Sequence, residues 1–278
     1  MECLNPRRYN LIMSFAGMRV VAFESRRAAE IAELIRKQQG DPLVAPAMRE
    51  APLADDHAAF QFAARLFAGE FDMVVLLTGV GTRQLSRLLA TRYEPAAFAD
   101  ALRRVTVVAR GPKPVAALRE MGLSPAVTAP EPNTWRELVA AIAGRPERRI
   151  AVQEYGRSNP ELLDSLRARG AEVTAVRIYR YALPENAEPL REAARRLANR
   201  EFHVALFTTA VQIDHLMRVA QEQAIEAAAL AGLRQCLVAS IGPTTTEALE
   251  EFGIHPALEP SHPKMGLLVM EAAARAGG

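Results

Sequence analysis

The chain has 278 residues, 50% hydrophobic and 24% charged, which suits one large or two smaller soluble domains. Thirty-four basic residues against 32 acidic ones leave a net charge of +2, too little excess for bulk nucleic-acid binding. The two cysteines, Cys3 and Cys236, form no disulfide framework and fit a reducing cytoplasm.

The first apolar run, "LIMSFAGM" (11–18), is too short to span a bilayer and lacks a convincing cleavage site. Residues 1–17 are therefore expected to be a loose extension, and no membrane partner is expected. "RVVAFE" (19–24) reads as a strand, and 26–39 as a helix stopped by Gly40. Further continuous apolar runs follow at 73–77, 105–109, 149–153, 204–207 and 236–241. Each leads into a helical pattern, which predicts parallel strands buried on both faces in an α/β sheet.

The chain also repeats itself. Residues 69–89 lie over 200–220, and 107–125 over 238–256, at one ungapped offset of 131. Gly111-Pro112, Ala117-Leu118, Glu120, Gly122 and Pro125 meet identical partners at Gly242-Pro243, Ala248-Leu249, Glu251, Gly253 and Pro256. A third block, 19–40 over 149–170, fits at offset 130. Two copies of one α/β unit are expected. Two such units leave a cleft between them, and ligands of open parallel sheets lie beyond the carboxyl ends of the strands.

The strand-to-helix turns therefore carry the candidate chemistry. They are "ESRR" (24–27), "TGVGTR" (78–83), "ARGPKP" (109–114), "QEYGRS" (153–158), "TTAVQ" (208–212) and "SIGPTTT" (240–246). Singly, each is explained by helix capping. Together they offer Ser25, Thr78, Gly79, Tyr155, Gly156, Thr208, Thr209, Gly242, Thr244 and Thr245, and the cations Arg26, Arg83, Arg110, Lys113 and Arg157. Hydroxyls, close backbone approach at glycine and helix N-termini favour an anionic, oxygen-rich ligand. "TGVGTRQ" lacks the third glycine of a dinucleotide fingerprint, so a nicotinamide cofactor is set aside. The five histidines show no metal-ligand spacing; His203, opening a strand, and Trp135 read as structural.

"MREAP" (48–52) and "RIYRYALP" (177–184) hold equivalent places in the two copies and read as extended segments joining two lobes. Tyr179 and Tyr181 share one face of such a strand, and a linker tyrosine near a cleft is a candidate proton donor.

These stretches, with "LLTGVGTRQL", "LFTTAVQIDHL" and "ASIGPTTTEALEEFGIHPALEPSHPKMGLL", resemble the uroporphyrinogen-III synthase family from about Arg19 to the C-terminus. The resemblance implies two similar lobes with parallel sheets flanked by helices, joined by a two-stranded linker with a cleft between them. The end-built lobe is expected at 1–48 plus 184–278, the middle lobe at 53–177, and the linker strands at 48–53 and 177–184. It implies a cytoplasmic monomer, without cofactor or metal, that closes the linear tetrapyrrole hydroxymethylbilane with inversion of the last pyrrole ring and loss of water. By the same likeness Tyr179 is the acid near the leaving hydroxyl, Thr245 a second contact, and Lys264 a partner for a propionate. Two departures stand out: Thr78-Gly79 where many members have Thr-Ser, and Thr209 where a serine often follows Thr208. The competing readings are a non-catalytic tetrapyrrole or anion sensor, for which no DNA-binding module is seen, and a periplasmic-type two-lobe binder, for which no signal segment is seen.

Overall fold

A computed structural model of the protein describes residues 14–53, 56–154, 156 and 158–277. In chain order the elements are β1 (Arg19–Ala22), α1 (Ala28–Lys37), β2 (Asp41–Val44), β3 (Arg49–Pro52), α2 (His57–Phe67), β4 (Met73–Leu76), α3 (Gly79–Leu89), α4 (Ala97–Leu102), β5 (Thr106–Ala109) and α5 (Pro112–Glu120). They continue with β6 (Val127–Thr128), α6 (Trp135–Ala141), β7 (Arg149–Glu154), α7 (Pro160–Ala168), β8 (Glu172–Arg177) and β9 (Tyr179–Ala182). The last are α8 (Glu188–Ala198), β10 (Val204–Phe207), α9 (Val211–Glu222), α10 (Glu226–Leu233), β11 (Leu237–Ser240), α11 (Pro243–Glu250) and α12 (Met265–Gly277). Among the described residues no helix is long and apolar enough to cross a membrane.

The chain divides into two compact units, Met1–Arg49 with Ala182–Gly278, and Glu50–Tyr181. The first holds a parallel sheet in the order β11-β10-β1-β2. The second holds one in the order β6-β5-β4-β7-β8, again parallel. β3 and β9 pair as a separate two-stranded sheet.

The internal repeat is written into the ladders. Met73 pairs with Thr106 in one sheet and Val204 with Leu237 in the other, 131 positions on in each case. Val108 pairs with Val127, and the lone bridge Ala239 to Leu258 is its counterpart. Arg19 pairs with Asp41 as Arg149 does with Glu172. Each sheet thus combines the first half of one copy with the second half of the other.

Alternation along the strands feeds two apolar layers per sheet, because successive side chains point to opposite faces. In the first unit Val21, Phe23, Ala205 and Phe207 pack with α8, α9, α10 and α11 residues. Val20, Ala22, Val204 and Leu206 pack with residues of α1 and α12. In the second unit Val74, Leu76 and Ala151 pack against α2 through α5, while Met73, Val75 and Ile150 pack against α6 and α7. A fully buried Leu such as Leu76 contributes about 1.5–3 kcal/mol. Two helices approach closely at Gly232, where an added Cβ falls onto the Leu197 carbonyl.

Two sequence expectations need correction. The loose extension 1–17 does not hold for 14–17: Phe15 is fully buried, and Phe15 N donates to Gln38 O at 2.8 Å. The remainder of that stretch lies outside the described residues. The helix after β1 starts at Ala28, not Arg26, and the left-handed residue at its end is Gln39, with φ 58°. Gly40 is needed for space instead, since a Cβ there would sit 2.7 Å from Ile35 and 2.8 Å from Phe15.

Ahead of β4, the Asp72 carboxylate accepts from the Arg149 backbone N–H (3.0 Å) and from its guanidinium, tying the start of β4 to that of β7. The Arg149 side chain and backbone lower the Asp72 pKa to about 2 from 3.8. A depressed carboxylate stabilises the fold fully above its unfolded pKa and loses that contribution as pH falls through the folded value. The urea midpoint of the protein should therefore drop between pH 3.8 and about 2, and Asp72→Asn should flatten that segment of the curve.

Candidate functional site

Because each sheet is parallel, its strand-to-helix turns lie along one edge, the carboxyl edge. In the second unit these turns follow β4, β5 and β7. Thr78 ends β4 in extended conformation and caps α3: its Oγ1 accepts from Gly81 N at 3.0 Å. Its backbone N–H points at Gln153 Oε1, 3.4 Å away at the end of β7, and its carbonyl accepts from Thr82 Oγ1 at 2.8 Å. The Tyr179 phenol, from β9, lies 3.4 Å from Thr78 Oγ1. Tyr179 is buried and meets Tyr181 edge to face, with ring centroids 5.5 Å apart. Burial, then the neighbouring Tyr181, raises the Tyr179 pKa well above the ordinary phenol value. The phenol keeps its proton.

The glycines here are packing residues. A Cβ on Gly79 would fall onto the Lys113 carbonyl, where α3 meets α5, and one on Gly81 would overlap the Gln153 carboxamide. A Cβ on Gly156 would sit 2.5 Å from the Tyr181 ring and backbone. A serine at position 79 would meet the Lys113 carbonyl. Gly111 precedes α5 in extended backbone, with Pro112 as first helical residue and Lys113 exposed in the first turn. Arg110 is half-buried, its N–H continuing the ladder to Leu76 O at 3.0 Å. Of the five turn cations, Arg83 is committed elsewhere, in a two-pronged pair with Glu120 at 2.7 Å per contact. Tyr155 and Arg157 lie outside the described residues.

In the first unit the turns follow β1, β10 and β11. Glu24, at the end of β1, takes the N–H groups of Arg26 (2.9 Å) and Arg27 (3.1 Å) on Oε1 and the Thr208 hydroxyl on Oε2. Gln212, in the first turn of α9, accepts from Thr208 N at 2.7 Å and Thr209 N at 3.2 Å. Thr208 was expected to offer its hydroxyl outward, but the proton of that hydroxyl belongs to Glu24. Thr209, half-exposed, takes its place; it is also the repeat partner of Thr78. The Arg26 amide is likewise spent on Glu24. Ser25 Oγ accepts from Met48 N at 3.1 Å.

The three threonines after Gly242 divide by environment. Thr244 is exposed, Thr245 is 3% exposed, and Thr246 bonds both Ser240 Oγ and Glu259 Oε2. Of the two expected contacts, Thr244 keeps an outward side chain and Thr245 is buried. Gly242 is extended and lies 3.8 Å, at its added Cβ, from Pro263, which brings the exposed Lys264 segment beside the same turn.

Sequence reasoning missed Glu24, Glu154, Gln153 and Gln212. Glu154 does in its unit what Glu24 does in the other: Oε1 accepts from Ser158 Oγ (3.0 Å) and Asn159 N (3.2 Å), and Oε2 from Arg177 Nε (3.2 Å). The signal was available, since Glu24 falls on Glu154 at the same offset of 130 that matches Arg19 with Arg149. His203 and His215 are structural: His203 Nδ1 accepts from Arg19 N at 3.1 Å, and His215 Nδ1 lies 2.7 Å from Ala47 O.

The described turns of the second unit carry a threonine hydroxyl, a neutral phenol and exposed Lys113, and those of the first carry the hydroxyls of Thr209 and Thr244 and exposed Lys264; among the described residues no activated nucleophile is seen. If Gly79 is a packing residue, Gly79→Ser should restore the absent hydroxyl yet destabilise the protein by about 1–3 kcal/mol in urea unfolding. Gly144→Ser, where an added Cβ meets nothing within 4 Å, should stay within about 0.5 kcal/mol of the parent.

The family model described as Uroporphyrinogen-III synthase HemD matches residues 29–270. "Uncharacterized protein YjjA" of Bacillus subtilis (strain 168) is 30% identical over 261 residues, covering 92% of this chain and 95% of that protein. A crystal structure of a mutant uroporphyrinogen III synthase from the extremely thermophilic bacterium Thermus thermophilus matches with TM-score 0.70 and 25% identity, covering 94% of this chain and 98% of that one. A wild-type crystal form from the same organism matches with TM-score 0.54 and 26% identity over the same shares. The chain belongs to the uroporphyrinogen-III synthase family.

Proposed function

We propose that the protein cyclises hydroxymethylbilane to uroporphyrinogen III, inverting the last pyrrole ring and releasing water. The observation that carries this reading is the Tyr179–Thr78 pair, a proton-retaining phenol 3.4 Å from a half-exposed threonine hydroxyl at the carboxyl edge of a parallel sheet. Family membership supports the substrate class. The substrate's carboxylates suit the Thr209, Thr244 and Lys264 groups of the first unit, and equally a cation such as Lys113.

The chemistry asks little covalent work of the protein. The electron-rich pyrroles expel the terminal hydroxyl and leave an azafulvene. Attack at the substituted carbon of the last ring gives a spiro intermediate, whose fragmentation and reclosure invert that ring. The protein's part is positioning, to prevent simple head-to-tail closure. Tyr179 donates a hydrogen bond to the departing oxygen. Its raised pKa makes it a poor full proton donor near neutrality, so the departing oxygen takes its proton from solvent or substrate.

Purified protein supplied continuously with hydroxymethylbilane should yield uroporphyrinogen III in excess over the enzyme-free mixture, read by chromatographic separation of isomers I and III. An isomer ratio equal to the enzyme-free control rejects the reading and leaves the non-catalytic sensor. Tyr179→Phe should lower turnover roughly a hundredfold, the scale of one lost transition-state donor, with its melting temperature little changed. Unaltered turnover would remove Tyr179 from the mechanism.

A further inference from the structure

Gln212 is a buried carboxamide that the chemistry above does not use, only 1% exposed. Its four hydrogen-bonding positions are all filled. Oε1 accepts from Thr208 N at 2.7 Å and Thr209 N at 3.2 Å; Nε2 donates to Phe23 O and Thr208 Oγ1, both at 2.9 Å. A carboxamide has two acceptor lone pairs and two N–H donors, so nothing remains for a ligand. Gln212 therefore acts only through the turn that it grips.

What it grips is the β10–α9 turn. With Glu24 it pins the Thr208 hydroxyl from both sides, one group taking the proton and the other giving one. It also occupies the amides of Thr208 and Thr209, the two residues that lead into the N-cap Ala210. The turn is left to present Thr209 through its side chain.

The second unit reaches the same contact by a different route. Position 212 corresponds to Gly81 and position 23 to Gln153. The carboxamide has changed sides: it comes from the helix in one unit and from the neighbouring strand in the other. Gln153 Oε1 faces Thr78 N, and Gly81 leaves the room it needs. Two copies thus keep an amide grip on the equivalent turn while exchanging the residue that supplies it. Space filling alone does not require a carboxamide at either place.

We propose that Gln212 is a positioning residue that fixes Thr208 and so holds Thr209 in the geometry that meets the substrate, an inference that rests on the function proposed above. The test compares wild type, Gln212→Met and Gln212→Glu at equal folded protein, verified by circular dichroism. In Gln212→Met, kcat/KM should fall about a hundredfold, the scale of a reacting group displaced by an ångström, with the isomer III fraction moving toward the enzyme-free value. Gln212→Glu keeps an acceptor for the two amides and should lie between Met and wild type. A structural role alone would lower the folded fraction and leave KM and isomer ratio per folded molecule unchanged; that result overturns the proposal.

If the Met variant does not fold, the Glu variant decides on the same two readouts. Failure of both to fold assigns Gln212 to stability and also overturns it. Wild type without isomer III excess sinks the functional reading alone. Gln212 is then judged by fluorescence titration with uroporphyrin III: weaker binding by a folded variant sustains positioning, and equal binding, or none by wild type, ends it.

Discussion

Everything in this fold depends on two strand pairings that neither half of the chain can make alone. β1 pairs with β10, and β4 with β7, each joining strands from different copies of the repeat. Without its partner, β1 exposes a backbone edge and two apolar faces, since parallel strands must be covered on both sides. The β1–β10 contact closes over 184 residues, as the Arg19 to His203 bond records. Such closure costs chain entropy before it returns any packing. The middle unit closes over a shorter span, from β4 to β7, and forms the more local of the two sheets.

The same exchange of halves explains why equivalent positions carry unlike chemistry on like scaffolds. Asp72 and His203 sit 131 apart and each accepts the backbone N–H that opens the adjacent strand, Arg149 in one unit and Arg19 in the other. A carboxylate does this with a guanidinium fork added; an imidazole does it through one ring nitrogen. Glu24 and Glu154 keep both residue type and task. Gln212 and Gln153 keep the task and exchange places. The ladder registers tolerate none of this freedom, because a one-residue slip would turn every core side chain to the wrong face.

The central strands were legible because they are buried on both sides and so read as unbroken apolar runs, as in "MVVLL" before Thr78. Of the edge strands, β11 was, its run 236–241 being nearly all apolar, but β2 and β8 were not. "DPLV" of β2 and "EVTAVR" of β8 mix polar and apolar residues, because an edge strand is only partly covered. The start of α1 was misplaced because the amides of Arg26 and Arg27 are turned toward Glu24. At the site, the turns and their hydroxyls could be found from local pattern and the repeat. Which hydroxyls are already spent could not, since the partner of Thr208 is 184 residues away. The glycines misled for a related reason: Gly79 and Gly81 are small for Lys113 and Gln153, neighbours in space only.

The two glutamates that share a task also limit where an anion can settle. A helix N-terminus attracts negative charge through its unpaired amides. Ahead of α1 and α7 the protein's own carboxylates engage the amides of Arg26, Arg27 and Asn159, the residues that lead into each helix. A second carboxylate arriving there would meet like charge and no free donor from these amides. At the β10 turn Gln212 closes the amides without adding charge. The turns that remain carry side-chain donors: Thr209 and Thr244 hydroxyls in the first unit, and the exposed Lys113 in the second. Side-chain donors at turns adapt by rotamer, whereas backbone amides do not, and a flexible linear ligand with many carboxylates is better held by the former than by a rigid anion nest.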